Sequence, residues 1–218
     1  MQIETTYIYG ECIRVILFNY HKILYLTLLL IYLVPTISLL FFITSSDNFV
    51  YALVMRGTQG NDNLSGTPKD DSMEGLRGND NMAGIEGNDA IEGSQGNDIL
   101  KGSEGNDYLN GGQDNDMLYG EDGNDELNGA EGRDQLFGDL GDDIMYGSIS
   151  NDILNGGEGT DRLYGGPGND TLTGGYGADY FDCGLGSDKA TDYYSAEGDS
   201  FIKPYLDKVS NRSSHTAI

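Results

Sequence analysis

The chain has no tryptophan and, among its 218 residues, only four prolines, two cysteines and two histidines. Two cysteines cannot build a disulfide framework. Cys12 and Cys183 also lie on opposite sides of a hydrophobic segment, which argues against a bridge between them. His21 sits in the N-terminal region and His215 in the tail, so the stretch between them offers no histidine for a hydrolytic dyad and no His/Cys cluster for zinc or copper. Positive charge is scarce as well, with 12 Lys and Arg against 36 Asp and Glu and a net charge of −24. Such a chain repels nucleic-acid phosphates and anionic lipid headgroups, so neither is expected as a partner, and cations are its natural counterparts. Glycine is abundant at 33 residues, yet proline is too rare and the period wrong for collagen.

Long hydrophobic runs are confined to one place. Residues 23–46 carry no formal charge, and the run from Ile23 to Ile43 is long enough to cross a bilayer as a helix. Arg14 and Lys22 precede it and Asp47 follows, which places the N-terminus in the cytoplasm and the rest outside, although Glu4 and Glu11 offset those cations. Two fates stand open: a signal peptide cleaved near Val50, Tyr51 and Ala52, or an uncleaved anchor, in which case this segment is the chain's one membrane contact. The expected order is a cytoplasmic region at 1–22, a signal or transmembrane segment at 23–46, a linker at 47–56, a repeat region at 57–191, and a C-terminal cap and tail at 192–218. Export leaves the chain secreted or held to the outer face of the cell membrane.

From Gly57 the sequence falls into fifteen contiguous units of nine residues with no insertion or deletion, beginning GTQGNDNLS, GTPKDDSME, GLRGNDNMA, GIEGNDAIE. Position 6 is Asp in every unit: Asp62, Asp71, Asp80, Asp89, Asp98, Asp107, Asp116, Asp125, Asp134, Asp143, Asp152, Asp161, Asp170, Asp179 and Asp188. Position 1 is Gly in fourteen units, position 4 in twelve, and position 8 is a large apolar residue in fourteen, from Leu64 to Phe181. Lys69, Asp114 and Ser150 replace Gly at position 4, Cys183 replaces it at position 1, and Ala190 stands at the last apolar position.

This pattern resembles the RTX nonapeptide, G-G-x-G-x-D-x-U-x, the calcium-binding repeat of hemolysin-type proteins. The resemblance implies an all-β fold, a right-handed parallel β-roll preceded here by one N-terminal hydrophobic helix. It also implies that the position-6 carboxylates bridge successive Ca²⁺ ions and that carbonyls of the glycine-rich turn complete each shell. The expected ligands beside the fifteen aspartates are Gly78, Gly87, Gly96, Gly105, Gly123, Gly132, Gly141, Gly159, Gly168 and Gly177, with Asn79, Asn88, Asn97 and Asn106.

Residue chemistry supports the same reading. Each unit is expected to divide into a six-residue turn, G-x-x-G-N-D, and a three-residue strand, with position 8 pointing into a thin core. Gly at positions 1 and 4 is expected to supply positive φ and close stacking of turn on turn. Two units make one coil, so unit n lies under unit n+2 about 4.8 Å away. Asp80 then stacks on Asp98 and Asp89 on Asp107, a repulsive arrangement that a cation relieves. An all-oxygen cage suits Ca²⁺, whereas Mg²⁺ demands stricter geometry and retained water. Stacking in alternation gives at most about 13 bridged pairs, two fewer than the units, and that many divalent ions would slightly more than offset the net charge of −24. Without metal the repeats are expected to be disordered.

Other functions lack residues to carry them. No G-x-x-x-x-G-K-[ST] occurs, and an EF-hand loop aligned on Gly129 puts Glu126 and Gln135 where its ligands belong and breaks. Every close carboxylate pair is already explained by the repeat, so the chain reads as non-enzymatic. The sequence is therefore read as an exported calcium-binding protein. The alternative is a calcium-stiffened adhesion or envelope-matrix protein with a partner at the cell surface. In the tail, Tyr193, Tyr194, Phe201 and Ile202 are expected to cover the open end of the roll.

Overall fold

The computed structural model describes residues 2–8, 11–17, 52–191, 198–202 and 206–210. The hydrophobic stretch 23–46, with the helix expected there, lies outside the described residues, as do Val50, Tyr51, Tyr193 and Tyr194. Gln2–Ile8 and Glu11–Leu17 form a separate antiparallel pair. All other strand pairs described are parallel. No helix occurs among the described residues, so none there is long and apolar enough to cross a membrane.

The repeat region is an all-β parallel solenoid of about eight turns. Strands alternate strictly between two nine-stranded sheets. The first sheet runs from Val54–Arg56 through Ser72–Arg77 and Ala90–Gln95 to Ser200–Ile202, and the second from Asn63–Ser65 through Asn81–Glu86 and Ile99–Glu104 to Leu206–Ser210. Paired residues through the repeats are eighteen apart, Leu100 opposite Leu118 and Leu118 opposite Leu136, so two units close one coil as the spacing predicts. The core is a double file of position-8 side chains from Met73 to Ala190, all buried, with Met55 and Leu64 packed against it at the first coil. One apolar side chain per unit makes this a thin core for its length. The main-chain ladders and the turns must therefore contribute much of what orders the chain.

Two local expectations are corrected. Most strands span six residues rather than three, as in Ser72–Arg77 and Met117–Asp122, and the turn shrinks to positions 4, 5 and 6. Pairing skips position 1: Glu74 lies opposite Glu92 and Leu76 opposite Ser94, while Gly75 has no register partner. The strand thus runs through an irregularity at position 1 and resumes pairing beyond it. Positive φ falls at positions 2 and 4, not at 1 and 4. Position 2 is left-handed even at Leu76, Ile85 and Glu121, and position 4 is left-handed at Gly78 and Gly96 and also at Asp114 and Ser150. The position-1 glycines are needed for space instead. A Cβ on Gly75 would lie 2.8 Å from the Gly93 carbonyl oxygen of the next coil and closer still to a carboxylate oxygen of Asp80.

Candidate metal sites

Each turn places its aspartate between two outward-facing neighbours, so the position-6 side chain turns inward. All fifteen aspartates from Asp62 to Asp188 are buried, none more than 9 % exposed. One carboxylate oxygen has a fixed task, because from Asp80 onward Oδ1 of each aspartate accepts from the main-chain N–H of the aspartate one coil earlier. Asp62 N–H donates to Asp80 at 2.8 Å, Asp80 to Asp98 at 2.7 Å, Asp89 to Asp107 at 2.7 Å and Asp107 to Asp125 at 2.7 Å. The pattern continues to Asp170 and Asp188 at 2.9 Å. The stacking of Asp80 with Asp98 and of Asp89 with Asp107 is thus mediated by this ladder.

The other oxygen is the anomaly. In eleven successive units from Asp80 to Asp170, Oδ2 is buried and has no hydrogen-bond partner. Leaving such an oxygen bare costs roughly 1–3 kcal/mol, and more when it carries charge. Burial accordingly pushes these carboxyls up, above all through lost hydration. The ladder N–H pulls them back in part, and in most of them neighbouring carboxylates push them further. Asp89, Asp98, Asp107, Asp125, Asp134 and Asp170 rise to about 6. Asp152 and Asp161 rise to about 7, and Asp116 and Asp143 to about 8. An array of carboxylates that resists ionisation is short of positive charge.

Main-chain oxygens gather around it in two places. Inside, the Oδ2 of Asp152 and the carbonyl oxygen of Gly165 approach the same point above Gly147, 2.7 and 2.8 Å from where its Cβ would be. At the turns, the position-4 carbonyl points along the axis at the next position-4 glycine, Gly78 at Gly96, Gly87 at Gly105 and Gly123 at Gly141, too close for any side chain. The Asn124 Oδ1 lies 3.0 Å from that same point at Gly141. The expected turn residues Gly78, Gly87, Gly123 and Asn79 thus contribute oxygens to the gaps between coils. The position-1 carbonyls were missed, and the near-constant glycine at position 1 was the available signal.

At position 5, Asn88 Oδ1 accepts from Asn106 N–H at 2.8 Å and Asn79 Oδ1 from Asn97 N–H at 3.1 Å, which commits those oxygens along the outer edge. Among the described residues no three His, Cys, Asp or Glu side chains cluster as a metal centre, so a cation here depends on main-chain oxygens as well as carboxylate. Cys183 is buried with a free thiol, which burial and nearby Asp188, Asp170 and Asp182 push up to about 12. That leaves it a poor soft-metal ligand. Carboxylate, carbonyl and amide oxygens form a hard donor set, and the residues fit Ca²⁺.

The model for the RTX calcium-binding nonapeptide repeat matches the chain in four copies, over residues 56–91, 83–118, 119–154 and 155–190. The chain belongs to the RTX calcium-binding nonapeptide repeat family. RTX repeats bind Ca²⁺, so calcium is the partner that membership assigns to this solenoid. No curated protein matches the chain.

Proposed function

We propose that the chain is an exported, non-enzymatic calcium-binding protein whose repeats fold into a right-handed roll when they take up Ca²⁺. The observation that carries this reading is the row of buried, unpartnered Oδ2 atoms from Asp80 to Asp170. The fifteen position-6 aspartates are the proposed carboxylate ligands. The position-4 glycines and Asn79, Asn88, Asn97 and Asn106 border the same turns, and the position-1 carbonyls add inner oxygens. When bound, Ca²⁺ supplies the positive charge that lets these carboxylates stay ionised while buried. Right-handedness follows the rule for parallel strands joined by crossovers in one sheet.

Export rests on the uncharged stretch 23–46 behind Arg14 and Lys22, with 1–22 on the cytoplasmic side and 47–56 as linker. A chain that meets its metal only outside crosses the membrane unfolded, and metal-driven folding then opposes its return. The test is a calcium titration of the full chain followed by far-UV circular dichroism, with bound calcium counted by isothermal titration calorimetry. Coil-like spectra in chelator and a cooperative gain of β signal at about millimolar Ca²⁺ are expected, with at most about 13 ions bound. A complete β spectrum in chelator would overturn coupled folding. Protease shaving of intact cells tests export, and repeats that stay protected would refute it.

A further inference from the structure

The roll carries an outer groove over the same turns that hold the proposed calcium ligands. Because each position-6 side chain turns inward, positions 5 and 7 stand out on either side of it. Along the turns that follow Lys69 they flank an open cavity of about 470 Å³, with Asn88, Asn106 and Asn124 on one wall, Tyr108, Glu126 and Ile144 on the other, and Asp89, Asp107 and Asp125 between them. A second cavity of about 350 Å³ lies further along the same line of turns, bordered by Thr160, Arg162, Tyr164 and Tyr180. The two share their rows, position 5 running from Asn88 through Asp142 to Thr160 and position 7 from Tyr108 through Ile144 to Tyr180.

The asparagine wall is set in one orientation. Asn88 Oδ1 accepts from Asn106 N–H at 2.8 Å, Asn106 Oδ1 from Asn124 N–H at 2.7 Å, and Asn124 Oδ1 from Asp142 N–H at 2.9 Å. With each oxygen committed along the axis, each amide nitrogen is left to offer donors once per coil, about 4.8 Å apart. The facing wall supplies a 43 % exposed tyrosine ring at Tyr108, the aliphatic Ile144 and the acceptor Glu126. Glu126, Asp142 and the net charge of −24 repel an anionic polymer. Neutral donors at a fixed interval, interspersed acceptors and flat apolar rings suit a chain of hydroxyl-bearing rings, and the coil spacing is close to the length one pyranose adds to an extended glycan.

We propose that this groove binds an uncharged linear polysaccharide along the roll axis, with Tyr108 and Tyr180 as stacking platforms and the Asn88, Asn106 and Asn124 amides as hydroxyl donors. The test uses the full chain in millimolar Ca²⁺, with its β spectrum recorded first, titrated calorimetrically with cellohexaose, chitohexaose and, as the competing ligand class, hexalysine. Saturable binding of an uncharged hexasaccharide is expected, weakened at least tenfold by Tyr108→Ala and less by Tyr180→Ala. Tyr176→Ala, on the other sheet and 76 % exposed, should leave it unchanged, with the same β spectrum in all variants. Absence of binding to either sugar, binding indifferent to Tyr108→Ala, or binding of hexalysine alone would overturn the proposal. A chain that stays unfolded in calcium overturns the coupled-folding reading before any sugar is added, and the groove with it.

Discussion

The two lines of turns are built from the same nonapeptide and differ in their outer rung. Along the line that starts at Lys69 the position-5 ladder is continuous, from Asp70 through Asn88, Asn106, Asn124 and Asp142 to Thr160. Along the other it runs from Asn61 to Arg133 and resumes from Asn151 to Ser187, because an arginine at 133 provides no acceptor. The second line also carries Asp114 and Ser150 at position 4, both forced to positive φ. The inner aspartate ladder is unbroken in both. The outer rung, solvated and replaceable by water, tolerates substitution. The inner rung does not, because a missing carboxylate strands a buried N–H and removes a proposed metal ligand together.

The largest effect is therefore expected at an inner rung in regular surroundings. Asp107→Ala leaves the Asp89 N–H without its acceptor and removes one of the bare oxygens, and should cost about 3–5 kcal/mol in calcium with loss of cooperativity in the calcium titration. Asp71→Ala, where Lys69 replaces the turn glycine and bridges to Thr67, should cost about half as much. Equal losses, read from urea melts in saturating calcium, would show that the turn departures do not matter. Next comes the core: Leu118→Ala should cost about 2–5 kcal/mol in the same assay, since its file has no second layer to collapse into the gap.

The pH response sharpens the contrast between inner and outer carboxylates. A carboxyl whose folded pKa is raised stabilises the fold at low pH, and that contribution is lost as pH rises through the folded value. Asp107, Asp152 and Asp143, at about 6, 7 and 8, should make the metal-free roll more stable near pH 5 than at pH 8, while calcium binding weakens as pH falls through the same range. Circular dichroism in chelator across this range checks the first, and calcium titrations at each pH check the second. Metal-free β signal that falls on acidification would sink the argument. The smallest effect is a gain: Asp114→Gly and Ser150→Gly relieve left-handed strain at non-glycine residues and should each add about 0.5–1 kcal/mol, seen as a higher Tm in calcium. A lower Tm for Asp114→Gly would mean that its carboxylate contributes to the neighbouring turns.

The period, the two-unit coil, the core file and the ring of aspartates were legible in the residues from Gly57 to Thr191, because each follows from a side-chain type recurring every nine positions with no slip. Leu64 to Ala190 occupy the inner file as the alternation requires. What the residues did not reveal is main-chain geometry. Leu76, Ile85 and Glu121 adopt positive φ against their own preferences because the stacked coils above and below leave the strand no other path. The inward turn of each carboxylate was equally hidden, since it depends on an N–H eighteen residues earlier. Composition and period therefore determined that this chain is an oxygen-rich, cation-seeking solenoid. Only the stacking of one coil on the next decided which oxygen of each aspartate from Asp80 to Asp170 is used by the fold and which is left buried and bare, because that choice is made by a main-chain donor from a different coil.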